Sequence, residues 1–172
     1  DEGWAAPMAA LLTEVRAGID RVYPDCDLGE PNAFRIYRDV RFGADKSPFK
    51  TNVSGVIAAR ATGKATDVPA AVYVQLGTES FVGAGLYMMD SRALSRYRAA
   101  VQDDERGAEL AGMVKALEKK GFTTGAGEEL KSAPRGVDPE HPRIGLLKKK
   151  GLIVSFPAIP DGLVQTRPFV DW

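Results

Sequence analysis

The densest chemistry in this chain is the run Arg35-Ile36-Tyr37-Arg38-Asp39-Val40-Arg41-Phe42, followed at once by Asp45-Lys46-Ser47-Pro48-Phe49-Lys50-Thr51. Five cations (Arg35, Arg38, Arg41, Lys46 and Lys50) stand with two carboxylates, Asp39 and Asp45, among aromatic and branched residues that favour strands. Read as a strand, the run puts Phe34, Ile36, Arg38, Val40 and Phe42 on one face and Arg35, Tyr37, Asp39 and Arg41 on the other. Arg38 then sits among apolar neighbours. Because a guanidinium keeps its proton, burial there calls for a carboxylate or a bound anion opposite it. Read as a helical turn, Arg35, Arg38 and Arg41 share one broad face, and the conclusion is the same.

Two functions fit this arrangement. In the first, the cations line a basic pocket for a phosphate- or carboxylate-bearing small molecule, arginine supplying paired donors matched to oxyanions. Acid–base chemistry, if the protein is an enzyme, then falls to Asp39, Asp45 or His141. In the second, the same charges form an internal ion-pair network in a noncatalytic protein-interaction or structural module. Five cations against two acids leave an excess that the second reading must place elsewhere.

Further along, Glu79 lies at a turn from which it could face the cations. The segment Glu79-Ser80-Phe81-Val82-Gly83-Ala84-Gly85-Leu86 lacks the third glycine and the following helix of a dinucleotide fingerprint; on one strand face Gly83 and Gly85 would clear space for a ligand or for a closely packed helix, and the helix is the expectation. His141 is the only histidine, and any triad or multi-histidine metal site must use it. It stands near Lys131 and Arg135, and its plainer role is a first-turn helix residue bonded to backbone or water. Cys26 is alone, which excludes an intramolecular disulfide. No metal site is expected, and the sequence points to no particular cofactor or oligomeric state. Lys148-Lys149-Lys150 suits the negative end of a helix dipole.

The elements that must position these residues follow from length and periodicity. At 172 residues, with 44% hydrophobic and 27% charged content, the chain reads as one domain, 1–172, able to bury its own core. Its 23 basic and 23 acidic residues create no overall field toward nucleic acid. No apolar run approaches the roughly 20 residues of a membrane helix. No membrane partner is expected, and the lone cysteine is consistent with a cytoplasmic location. The opening at Asp1, without an initiator Met, allows for a missing N-terminal segment.

Met8, Leu11, Leu12, Val15, Ile19 and Val22 predict a helix between Pro7 and Pro24. Strands are predicted at Thr51–Ala61, Ala70–Leu76 and Phe81–Met89, the last two as an antiparallel hairpin. Asp90-Ser91 caps a helix through Leu94, Tyr97 and Val101; another carries Leu110, Met113, Val114 and Leu117, the two separated near Asp103-Asp104. Gly125 to Gly136 reads as irregular, Asp138-Pro139 as the start of a helix ended by Gly151, and Leu152–Phe156 as a strand. With the motif strand this makes an α+β fold, a mainly antiparallel sheet of about five strands with helices on one face.

The run Arg35–Phe42 with Asp45-Lys46 resembles the signature of a mainly bacterial, uncharacterised family, the domain of unknown function 2461. Ser80-Phe81-Val82-Gly83-Ala84-Gly85-Leu86-Tyr87-Met88 and Leu130-Lys131-Ser132-Ala133-Pro134-Arg135-Gly136-Val137-Asp138-Pro139-Glu140-His141-Pro142 resemble its later blocks. Phe49 stands where the family usually has tyrosine, and the family's longer N-terminal helix is represented here by its final part. The resemblance implies a shared location for a site built from the three blocks, and no established activity.

Overall fold

The helical period at Met8, Leu12, Val15 and Ile19 becomes α1, Ala5–Val22, in the computed structural model, which describes residues 3–38, 41, 46–60, 70–159 and 162. Its last turn closes with the Tyr23 N–H on the Ile19 carbonyl at 2.7 Å, just before Pro24. The described chain divides into two compact units, one of Asp1–Arg60, Ala71–Gly83 and Ala158–Trp172, the other of Ala61–Ala70 and Ala84–Pro157.

In the first unit, β1 (Asn32–Ala33) pairs antiparallel with β2 (Asn52–Ala58), and β2 with β3 (Ala71–Gly77) over seven residue pairs from Asn52↔Gly77 to Ala58↔Ala71. This register sets Val53, Gly55 and Ile57 beside Leu76, Val74 and Val72. These residues meet α1 in a core built on buried Met8, Leu12, Leu28, Ile57 and Val74, with Ile159 packed against it. Gly55 makes the approach possible: a Cβ there would collide with Leu12 Cδ1 and the Asn32 carbonyl. The following strand, β4 (Phe81–Leu86), lies next to β3 and gives its first three residues to this unit. Between β3 and β4 the Gln75 amide donates to the Glu79 carbonyl at 2.8 Å and the Gly77 N–H to Ser80 Oγ at 3.0 Å, which makes Gly77–Ser80 the expected turn.

The second unit takes the remainder of β4 and then α2 (Ser91–Gln102), α3 (Asp104–Lys119), β5 (Thr123–Gly125), α4 (Ile144–Lys148) and β6 (Leu152–Ser155). Asp90 caps α2 by accepting from the Ala93 N–H at 2.7 Å. Asp103 ends α2 and also caps α3, accepting from the Arg106 N–H at 2.9 Å. The core here is Val101, Leu146 and Leu147, with Tyr97, Leu110, Val114 and Leu152 around it. β5 pairs antiparallel with β6, which neighbours β4.

The fold is therefore α+β with six described strands rather than five. The count changes because β1 and β5 are too short to show a period, while the described residues of the motif form an isolated bridge, Tyr37↔Phe49, and no named strand. The expected helix from Asp138 shrinks to five residues. Asp138 Oδ1 instead caps a turn at the Glu140 N–H, and tight turns continue through His141, whose helical conformation is disfavoured by the following Pro142. Gly85, expected to admit a helix, has φ +138° and clears the Leu152 carbonyl of the neighbouring strand.

The corner between α2 and α3 is closed by Arg143. Its Nε donates to the Val101 carbonyl at 2.7 Å and its Nη2 to the Gln102 and Asp103 carbonyls at 3.3 and 3.1 Å, with Asp104 Oδ1 at 3.6 Å. A guanidinium at the negative end of α2 satisfies carbonyls that the helix itself leaves open. Gly107, one turn into α3, leaves room for it: a Cβ there would strike the Val101 carbonyl and lie 2.7 Å from Arg143 Nε. A Cβ at Gly112, further along the same helix, would meet nothing within 4 Å. Gly107→Ala is expected to cost more than about 2 kcal/mol through overpacking and the displaced guanidinium. Gly112→Ala is expected to gain up to about 1 kcal/mol through helix propensity alone. Urea denaturation of the two variants measures both; equal effects would contradict a corner packed around Arg143.

Candidate functional site

Ser91, Ser95, Arg98 and Gln102 recur at i, i+4, i+7 and i+11, which places them along one side of α2. That side faces the turn Pro134–Val137, closed by the Val137 N–H on the Pro134 carbonyl at 3.1 Å, with Gly136 at φ +80°. Together they line a groove of about 500 Å3, with Leu94, Ala99, Pro134 and Val137 as its apolar part and Arg98 and Arg135 as its charges.

Arg98 is half-buried and held in place, its Nε donating to the Leu147 carbonyl at 3.2 Å. Its neighbour Tyr97 donates its hydroxyl to the Leu146 carbonyl at 3.1 Å, so α2 grips α4 through two consecutive residues. Among the described residues neither Arg98 nor Arg135 has a carboxylate within ion-pair distance. No carboxylate, imidazole or thiol occurs in the described lining either. The charges of the described lining are therefore both cationic, and none of its side chains is an ordinary general base.

The residues singled out from sequence fall in both units. In the first, Phe34, Ile36 and Arg38 are half-buried and Arg35 and Tyr37 exposed, which is the alternation expected of an extended segment. The Arg38 N–H donates to the Pro48 carbonyl at 2.9 Å and the Lys50 N–H to the Ile36 carbonyl at 2.7 Å, and the Tyr37 and Phe49 rings meet at 5.5 Å. Arg41, Lys46 and Lys50 are exposed, and Arg38, Arg41 and Lys46 are each already engaged with a partner. Lys50 lines a shallow hollow of about 390 Å3 with Trp4, Ile36 and Asn52. Glu79 is exposed at its turn. Asp39 and Asp45 lie outside the described residues.

In the second unit Lys131 is exposed and Arg135 lies in the groove. His141 is half-buried, its Nδ1 accepting the Arg143 N–H at 3.0 Å, so the ring serves the turn. Arg98 was not among the sequence candidates, although its helical spacing with Ser91, Ser95 and Gln102 is legible in the sequence. A wider cleft of about 650 Å3 is lined by Lys115, Glu118, Glu129, Arg143 and Lys149. Its charges are largely consumed internally: Lys149 pairs with Glu129 at 2.6 Å, and Glu118 accepts from Thr124 at 2.6 Å. Among the described residues no three of His, Cys, Asp and Glu converge as metal ligands, and no described helix is long and apolar enough to cross a membrane.

Compared with known families, the chain matches over residues 1–172 the model described as conserved hypothetical protein (DUF2461). Neither a curated protein nor a solved structure matches it.

Against the core of the second unit, burial pushes the Tyr97 phenol up to about 12; the Arg98 guanidinium works against this and the Glu129 carboxylate adds to it. A phenol ionises to an anion, so above pH 10 the unfolded chain loses a proton that the folded chain keeps, and stability falls as pH rises from about 10 to about 12. Tyr97→Phe is expected to flatten that decline in thermal melts across this window. An unchanged slope would show that the phenol is not the group responsible.

Proposed function

For a chain that belongs to the conserved hypothetical family DUF2461, we propose a protein that binds an anionic small molecule, and that its site is the groove between α2 and the Pro134–Val137 turn. The observation that supports this is the pair Arg98 and Arg135, lining one groove without a carboxylate among its described residues. The half-buried Arg98 guanidinium loses part of its hydration, and an oxyanion held between it and the exposed Arg135 restores it through charge-assisted hydrogen bonds. Phosphate and carboxylate both fit, as the sequence led us to expect of a basic pocket.

The position differs from the one that the Arg35–Lys50 motif suggested. That Arg38, Arg41 and Lys46 each already have a partner counts toward the alternative for the motif itself, an internal ion-pair network. Arg135, in the third of the sequence blocks, remains a ligand residue in this reading, and Arg98 joins it.

Thermal denaturation with sodium phosphate or citrate, against sodium chloride at equal ionic strength, tests the proposal. A ligand selective for the native state, at one hundred times its Kd, adds about 2.7 kcal/mol, a rise in Tm of several degrees. The rise is expected to vanish in Arg135→Gln, whose exposed side chain has no described partner to lose. No rise in the wild-type protein, or an equal rise in the variant, would refute the groove as the site.

A further inference from the structure

The polar residues around the two guanidiniums are of one kind. Ser91 and Ser95 bring hydroxyls and Gln102 an amide, all on the α2 side that carries Arg98. From Ser91 to Gln102 the strip runs eleven residues, about 16 Å along the helix axis at 1.5 Å per residue. An inorganic phosphate at Arg98 and Arg135 would leave most of it empty. Serine and glutamine both donate and accept, which is what alcohol groups on a ligand require of their partners.

The rest of the lining narrows the class further. No aromatic ring occurs among its described residues, only Leu94, Ala99, Pro134, Gly136 and Val137 beside the polar groups. Nucleobases are commonly held by stacking on aromatic side chains, and this groove offers none. The absence of lysine and of carboxylate from the same described lining means that neither an amine nor a metal-bridged polyphosphate finds its usual partners here. At about 500 Å3 the groove is within the range of small-molecule sites. The N-terminus of α2 does not enter this argument, because Asp90 already occupies it as a cap.

We infer that the groove takes a phosphorylated polyhydroxy compound, its phosphate between Arg98 and Arg135 and its hydroxyls along Ser91, Ser95 and Gln102. This rests on the reading of the groove as an anion site and adds the body of the ligand to it. A free sugar phosphate and the headgroup of a phosphoinositide share this chemistry.

Isothermal titration of the full chain with inorganic phosphate, glucose 6-phosphate, glucose and AMP, together with co-sedimentation on vesicles containing phosphatidylinositol 4-phosphate, tests the inference. Glucose 6-phosphate is expected to bind at least tenfold more tightly than phosphate or AMP. Ser95→Ala is expected to weaken glucose 6-phosphate about tenfold and leave phosphate unchanged, whereas Arg135→Gln weakens both. Both side chains are exposed, so neither substitution empties a core position. Vesicle binding that Ser95→Ala weakens, without binding of the free sugar phosphate, would support the same chemistry with a lipid source. Phosphate binding as tightly as glucose 6-phosphate, or AMP doing so, would overturn the inference and leave the anion site standing. Binding of none of these phosphates, free or on vesicles, would overturn both.

Discussion

Arg143 is the contact on which the second unit depends. Two helices that meet head to tail leave the last carbonyls of the first without helical partners, and here one guanidinium reaches the carbonyls of Val101, Gln102 and Asp103 together. With only 13% of its side chain exposed, this cation is largely removed from water, so its hydrogen bonds must replace most of its hydration. The carbonyls serve as its counter-charge, helped by Asp104 at the rim. Gly107 is small because the guanidinium occupies the space its side chain would fill. Asp103, between the two helices, completes the arrangement by capping α3 while its own carbonyl is held.

This corner fixes the candidate site at one remove. With the end of α2 held by Arg143, and its middle tied to α4 through Tyr97 and Arg98, the helix has little freedom to rotate about its axis. The side bearing Ser91, Ser95 and Gln102 is thereby kept toward the Pro134–Val137 turn. His141 contributes at the other end of the same connection by accepting the Arg143 N–H through its ring. The histidine is thus in contact with the backbone of the arginine that clamps the corner.

Elements with a sustained period or a capping residue were legible in the sequence, and those set by a neighbour were not. α1, β2 and β3 follow from apolar spacing, and the breaks at Asp90 and Asp103 from side chains that accept from the next turn's N–H groups. β5 is three residues held by pairing with β6, and no period of two can be seen in Thr123–Gly125. The helix expected after Asp138 failed because a capping aspartate and a proline describe a turn as well as a helix start. The motif was legible as an alternation of exposure, whereas charge density in sequence does not reveal which cations already have partners. Arg98 was missed for the opposite reason: an isolated arginine on a polar helix side attracts no notice until the turn bearing Arg135 is seen against it.

The order in which the units occur along the chain has a consequence for synthesis. Beyond Ala61–Ala70, the second unit is one continuous stretch, 84–157, so its helices and its β5–β6 pair involve no residue that emerges later. The first unit is different: its core is closed by Ile159, which follows the whole of that stretch. A ribosome therefore releases every residue of the second unit before the first can be completed, and α1 with β1 to β3 must wait with an apolar surface incompletely covered. The long span that must close between Gly83 and Ile159 adds loop entropy to that delay. A core that starts to form with α1 thus takes up a residue that follows the entire second unit in the chain.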